Sequence, residues 1–124
     1  MKETGNILAI DDDRLSLKLL ESYLKDTPFQ VTAVGDPEEA LSLLGKKSYD
    51  LVLSDIQMPV LDGIGAMLEI RAEPALRDIP IVALTALAMP GDRERCLAAG
   101  ATEYLSKPVS LRMLAALVER SLTS

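Results

Sequence analysis

Three consecutive acids, Asp11-Asp12-Asp13, follow the short apolar run Ile7-Leu8-Ala9-Ile10. Asp55 closes a second run, Leu51-Val52-Leu53-Ser54, and Thr85 a third, Ile81-Val82-Ala83-Leu84. Lys107 follows Tyr104-Leu105-Ser106 and precedes Pro108. Brought together, Asp11, Asp12 and Asp55 would repel one another, and at least one of them would tend to neutralise. A hard divalent cation removes that conflict, and Mg²⁺ suits a few carboxylates completed by a backbone carbonyl and waters. The ammonium of Lys107 adds a further positive charge. A cation and an ammonium around one carboxylate suit a phosphoryl group, because they neutralise its oxygens while the carboxylate attacks phosphorus. The product of that attack is an aspartyl phosphate, to which the Thr85 hydroxyl can donate a hydrogen bond.

Each of these residues has a plainer use. Asp13, just before a helical stretch, is expected to be an N-cap. Asp62 before Gly63 reads as a turn or cap, Lys107 alone as a surface lysine, and Thr85 alone as a strand former. Met58, Met67 and the aliphatic stripes read as core. The chemistry therefore depends on co-occurrence, each polar residue standing at the exit of an apolar run.

The elements that must position them can be read from the spacing. The apolar runs, with Val31-Thr32-Ala33-Val34 as a further one, are short and lack polar alternation, which predicts strands buried on both faces. Between them Leu15, Leu19, Leu20, Tyr23 and Leu24 recur at helical intervals up to Pro28. Pro37 with Glu38 and Glu39 opens a second helix that Gly45 stops. Ile64, Met67 and Leu68 form a third stripe ended by Pro74. Pro90 and Asp92 open a fourth helix closed by Gly100, and Leu111, Leu114, Leu117, Val118 and Leu122 mark a fifth. Strands alternating with amphipathic helices predict an α/β fold, a doubly wound parallel sheet covered on both faces. In such a sheet the site lies beyond the carboxyl ends of the strands, near the point where strand order reverses.

Composition removes several function classes. The 124 residues, 48% hydrophobic and 26% charged, suit one domain spanning 1–124. A net charge of −6 argues against direct nucleic-acid binding and against a polybasic membrane anchor. The chain contains no histidine, which excludes Ser-His-Asp catalysis and His-built zinc sites, and its one cysteine, Cys96, excludes an internal disulfide. The polar first residues and short apolar runs predict neither a signal peptide nor membrane insertion, and a cytoplasmic location is expected.

Four segments in order make a specific match to a known family. Ile7–Asp13, Leu53-Ser54-Asp55-Ile56-Gln57-Met58-Pro59 with Leu61-Asp62-Gly63, Ile81–Ala86, and Gly100-Ala101 leading to Tyr104-Leu105-Ser106-Lys107-Pro108 resemble the receiver domain of two-component response regulators along essentially the whole chain. The resemblance implies a five-stranded (βα)5 domain of flavodoxin-like type with strand order 2-1-3-4-5. It implies Asp55 as phosphoacceptor and Mg²⁺ as cofactor, held by Asp12, by Asp11 mainly through waters, by Asp55 and by the Gln57 carbonyl. The N–H groups of Gln57 and Ala86, with Thr85 and Lys107, would bind the phosphoryl group, and Tyr104 would follow Thr85 to reshape the helix 4–strand 5–helix 5 surface. The Lys107-Pro108 bond is expected to be cis, and Leu87, two residues past Thr85, to slow hydrolysis by hindering water. The implied partners are a histidine kinase or phosphotransfer protein as donor and a downstream protein target, and the chain would not itself be an enzyme.

Other readings compete. The chain could be the receiver module of a hybrid histidine kinase or phosphorelay, or an adaptor that is not phosphorylated. A phosphohydrolase working through an aspartyl phosphate needs a second acid two residues after the nucleophile, where this chain has Gln57. A flavodoxin-like mononucleotide binder needs a phosphate loop after the first strand, where this chain has three acids.

Overall fold

The computed structural model describes residues 5–11, 13–25, 29–55, 63–85, 90–106 and 116. Strands β1 (Gly5–Ile10), β2 (Phe29–Val34), β3 (Leu51–Asp55), β4 (Ile81–Thr85) and β5 (Glu103–Ser106) alternate with helices α1 (Arg14–Leu24), α2 (Pro37–Leu44), α3 (Gly63–Ala72) and α4 (Asp92–Ala99). All described strand pairs are parallel, and the order across the sheet is β2-β1-β3-β4-β5, as expected. The fifth helix expected from Leu111 to Leu122 lies outside the described residues apart from Ala116, which is helical.

Local chemistry sets the helix ends. The Asp13 carboxylate accepts the Leu15 N–H at 3.0 Å, and the Asp36 carboxylate accepts the Glu38 N–H at 2.9 Å. Pro37 occupies the first turn of α2, where a missing N–H costs nothing. At the end of α4, Gly100 has φ +114°, its N–H donates to the Leu97 carbonyl, and the Ala101 N–H donates to the Cys96 carbonyl at 2.9 Å. This is a Schellman closure, and it needs a residue that accepts positive φ.

The sheet carries a core on each face. On one side Leu8, Ile10, Val52, Ile81 and Ala83 meet Ala40 and Leu44 of α2, Met67 and Ile70 of α3, and Cys96 and Ala99 of α4. On the other, Ile7, Ala9, Leu51, Leu53, Val82 and Leu84 meet Leu17 and Leu20 of α1. Strands β1, β3 and β4 are buried almost throughout, whereas the outer strands β2 and β5 are half-exposed.

Two expected stripes are corrected. Leu15 and Leu19 are 66% and 48% exposed, and among the described side chains of α1 those that reach the sheet are Leu17, which lay outside the expected stripe, and Leu20, which belonged to it. Leu68 is likewise exposed, while its neighbour Met67 is fully buried. The run Arg14–Leu24 carries leucines on more than one side of the helix, so periodicity alone offers competing faces.

Candidate functional site

The site is built by sheet register. Ile10 of β1 pairs with Ser54 of β3, so the next residues, Asp11 and Asp55, leave adjacent strands at the same level, about 5 Å apart along the sheet. Chain connections run outward in opposite directions from β1 and β3, which makes this pair of exits the point where strand order reverses. Asp55 pairs with Leu84, and Thr85 stands one residue beyond on β4.

All three of these polar residues are enclosed. Asp11 is 5% exposed, Asp55 6% and Thr85 fully buried. The Asp11 N–H continues the ladder to the Val34 carbonyl at 3.0 Å, which fixes its backbone to β2. One Asp11 carboxylate oxygen accepts the Asp13 N–H at 2.9 Å, so the same turn orients Asp11 and starts α1. Asp13 caps the helix, as its plainer reading has it, and its side chain is exposed.

Two buried carboxylates one strand spacing apart make a site of concentrated negative charge. Hard oxygen donors of this kind fit a divalent cation such as Mg²⁺. Among the described residues no three metal-ligating side chains cluster; the further acid, Asp12, lies outside them. So do Gln57, Ala86, Leu87, Lys107 and Pro108.

A second polar group lies on the sheet face covered by α2, α3 and α4. Ser54, Ala83 and Tyr104 form one row across β3, β4 and β5. The Ser54 hydroxyl and the Tyr104 phenol are both buried and have no hydrogen-bond partner among the described residues. Burial pushes the Tyr104 phenol above the usual tyrosine range, and the charges of Asp92, Cys96 and Glu94 add to that. The Cys96 thiol is also raised, first by burial and then by Asp92, with Arg95 opposing. Asp92 and Cys96 of α4 are both buried, a placement that the sequence did not announce. Asp92 reads as a helix opener, and its 8% exposure follows from where α4 docks.

Comparison with known proteins decides the family. The model of the response regulator receiver domain matches residues 7–119. The chain belongs to that family. It is a receiver domain, a phosphoacceptor switch of two-component signalling. It is 41% identical over 115 residues to the sensor protein GacS of Pseudomonas syringae pv. syringae, covering 90% of this chain and 13% of that protein. The receiver thus spans a small part of that relative. The polar-differentiation response regulator DivK of Brucella ovis is 33% identical over 108 residues, covering 87% of this chain and 88% of DivK. Among solved structures, the receiver domain of the sensor histidine kinase PA1611 from Pseudomonas aeruginosa PAO1, with a magnesium ion coordinated in its active-site cleft, superposes with a TM-score of 0.89. It is 39% identical, over 98% of this chain and 99% of that one. No helix among the described residues is long and apolar enough to cross a membrane.

Proposed function

We propose that Asp55 accepts a phosphoryl group from the phosphohistidine of a partner protein. The observation that carries this reading is the register that brings buried Asp55 level with buried Asp11, with Thr85 one step away. The chain has no histidine, so the donor is a separate kinase or phosphotransfer protein, or another part of a longer chain. A carboxylate oxygen of Asp55 attacks phosphorus, the P–N bond of the donor breaks, and its electron pair stays on the imidazole. Asp11, Asp12, Asp55 and the Gln57 carbonyl would hold Mg²⁺, which supplies charge neutralisation at the phosphoryl oxygens. Thr85, Lys107 and the N–H groups of Gln57 and Ala86 bind those oxygens. The domain assists its own phosphorylation and dephosphorylation and turns over no separate substrate.

Phosphorylation adds nearly two negative charges at the strand exits. Thr85 moves toward them, Tyr104 turns into the space, and the surface around α4 and β5 changes for a downstream protein target. Residues 1–124 act as one receiver unit located in the cytoplasm. The direct test is intact-mass analysis after incubation with acetyl phosphate, with magnesium or with a chelator. The expected result is one added phosphoryl group per chain with magnesium and none with chelator. Incorporation indifferent to the metal would refute the site.

A second reading concerns context. Because a sensor protein at 41% identity exceeds the stand-alone regulator DivK at 33%, the receiver suits a module of a hybrid sensor kinase or phosphorelay. The size of the protein detected in its native cells by an antibody against this domain tests it. An adaptor that is never phosphorylated would give no incorporation in the same assay.

A further inference from the structure

We infer that the outer edge of β2 is a docking site for an extended, acidic segment of a partner protein, which joins the sheet as a further strand beside α1. β2 is the last strand on its side of the sheet, and β1 matches it residue for residue from Phe29 opposite Gly5 to Val34 opposite Ile10. The Asp11 N–H donates to the Val34 carbonyl, so Val34 turns its backbone toward β1. Backbone groups alternate in direction along a strand. Val31 and Ala33 therefore turn theirs outward, where no further strand lies among the described residues.

Such an edge can pair with any exposed strand, and proteins usually blunt it with charge, proline or a bulge. Phe29-Gln30-Val31-Thr32-Ala33-Val34 contains no charged residue, proline or glycine, and its register with β1 runs without a bulge. The opposite edge, β5, is shorter and carries Glu103.

The side chains around the β2 edge define its occupant. Phe29 and Val31 point to the face of the sheet that α1 covers. Together with Lys18, Glu21 and Ser22 of α1 and Lys25 just after it, they line an open cleft of about 500 Å³. The cleft thus has an apolar floor and a rim of two exposed lysines against one glutamate. That rim is positive on a chain whose net charge is −6. A glutamate on the incoming strand fits it, with methylenes over the floor and its carboxylate at a lysine. A second copy of this chain fits less well, because two-fold pairing of β2 with β2 would bring two positive rims together. Main-chain bonds at Val31 and Ala33 supply the affinity, and charge at the rim selects the partner. None of this rests on phosphorylation of Asp55.

Amide hydrogen exchange of the whole chain, read by NMR, tests the site with a peptide of about eight residues that alternates glutamate and valine. The peptide should slow exchange at Val31 and Ala33 and leave Gln30 and Thr32, whose N–H groups face β1, nearly unchanged. The same peptide with lysine for glutamate should bind about three- to tenfold more weakly, the scale of two exposed ion pairs. Added salt should narrow that gap. Lys18→Glu combined with Lys25→Glu, both at exposed positions, should reverse the preference. No protection of Val31 and Ala33 at millimolar peptide would overturn the strand site. Equal protection by both peptides would overturn the acidic occupant. Protection that rises with the concentration of the chain alone would assign the edge to a second copy and overturn the partner.

Discussion

Among single residues, neighbouring acids divide into separate tasks by the atoms they present. Asp55 contributes a buried carboxylate, and Asp55→Asn keeps its shape while removing the proposed nucleophile. Phosphoryl incorporation from acetyl phosphate should fall to background in that variant, and incorporation that survives would move the acceptor elsewhere. Asp13 contributes a side chain to the helix cap and a backbone N–H to Asp11. Asp13→Ala should therefore cost about 1 kcal/mol in urea unfolding, the usual value of a lost cap, while magnesium affinity stays close to wild type. Asp11→Ala should have the opposite profile, losing magnesium affinity most. Titration of both variants with the metal distinguishes cap from ligand.

The helices show how a backbone requirement can be shared between two elements. Gly100 answers both to the end of α4 and to the Arg71 side chain from α3. Gly100→Ala should lower stability by about 1–3 kcal/mol from positive φ alone. The approach of the new Cβ to within 2.5 Å of the Arg71 Cγ adds to that unless Arg71 gives way. Unfolding of Gly100→Ala, Arg71→Ala and the double variant forms a cycle that isolates the contact. Strict additivity would mean that Arg71 and Gly100 do not act on each other. Burial lowers the Arg71 pKa and Asp78 opposes it, and its hydrogen bonds run to backbone carbonyls of two segments.

For the molecule as a whole, stability should carry an alkaline limit. Tyr104 is held protonated by burial, so its folded pKa lies above its unfolded one. Its contribution is complete below about pH 10 and is lost as pH rises through the folded value, because the unfolded chain ionises first. Cys96 acts with the same sign, beginning near pH 8.5. Urea unfolding measured from pH 7 upward should show stability declining above that range. Tyr104→Phe should flatten the upper part of the decline. At pH 7 the variant should lie within about 1 kcal/mol of wild type or above it, since the hydroxyl removed has no partner among the described residues. A large loss at pH 7 would mean that the phenol is held by a bond after all.

The sequence by itself determined the alternation of strand and helix, the polar residues Asp11, Asp55 and Thr85 at strand exits and the helix ends at Asp13, Pro37 and Gly100, because these follow from neighbours a few positions apart. Apolar runs, prolines and acids near helix starts act through local geometry and local dipoles. The family also was legible there, through four motifs in order. The meeting of Asp11 with Asp55 was an inference from sheet type until register placed Ile10 opposite Ser54. Tertiary structure alone decided that Leu17, and not Leu15 or Leu19, joins Leu20 in packing toward the sheet, and that Asp92 is enclosed at the start of α4. It also decided that Arg71 reaches Gly100 across 29 positions of chain. The physical reason is the same in each case. Periodicity fixes which residues share a side of a helix, but the direction in which that side is buried depends on crossovers and docking between segments far apart in the chain.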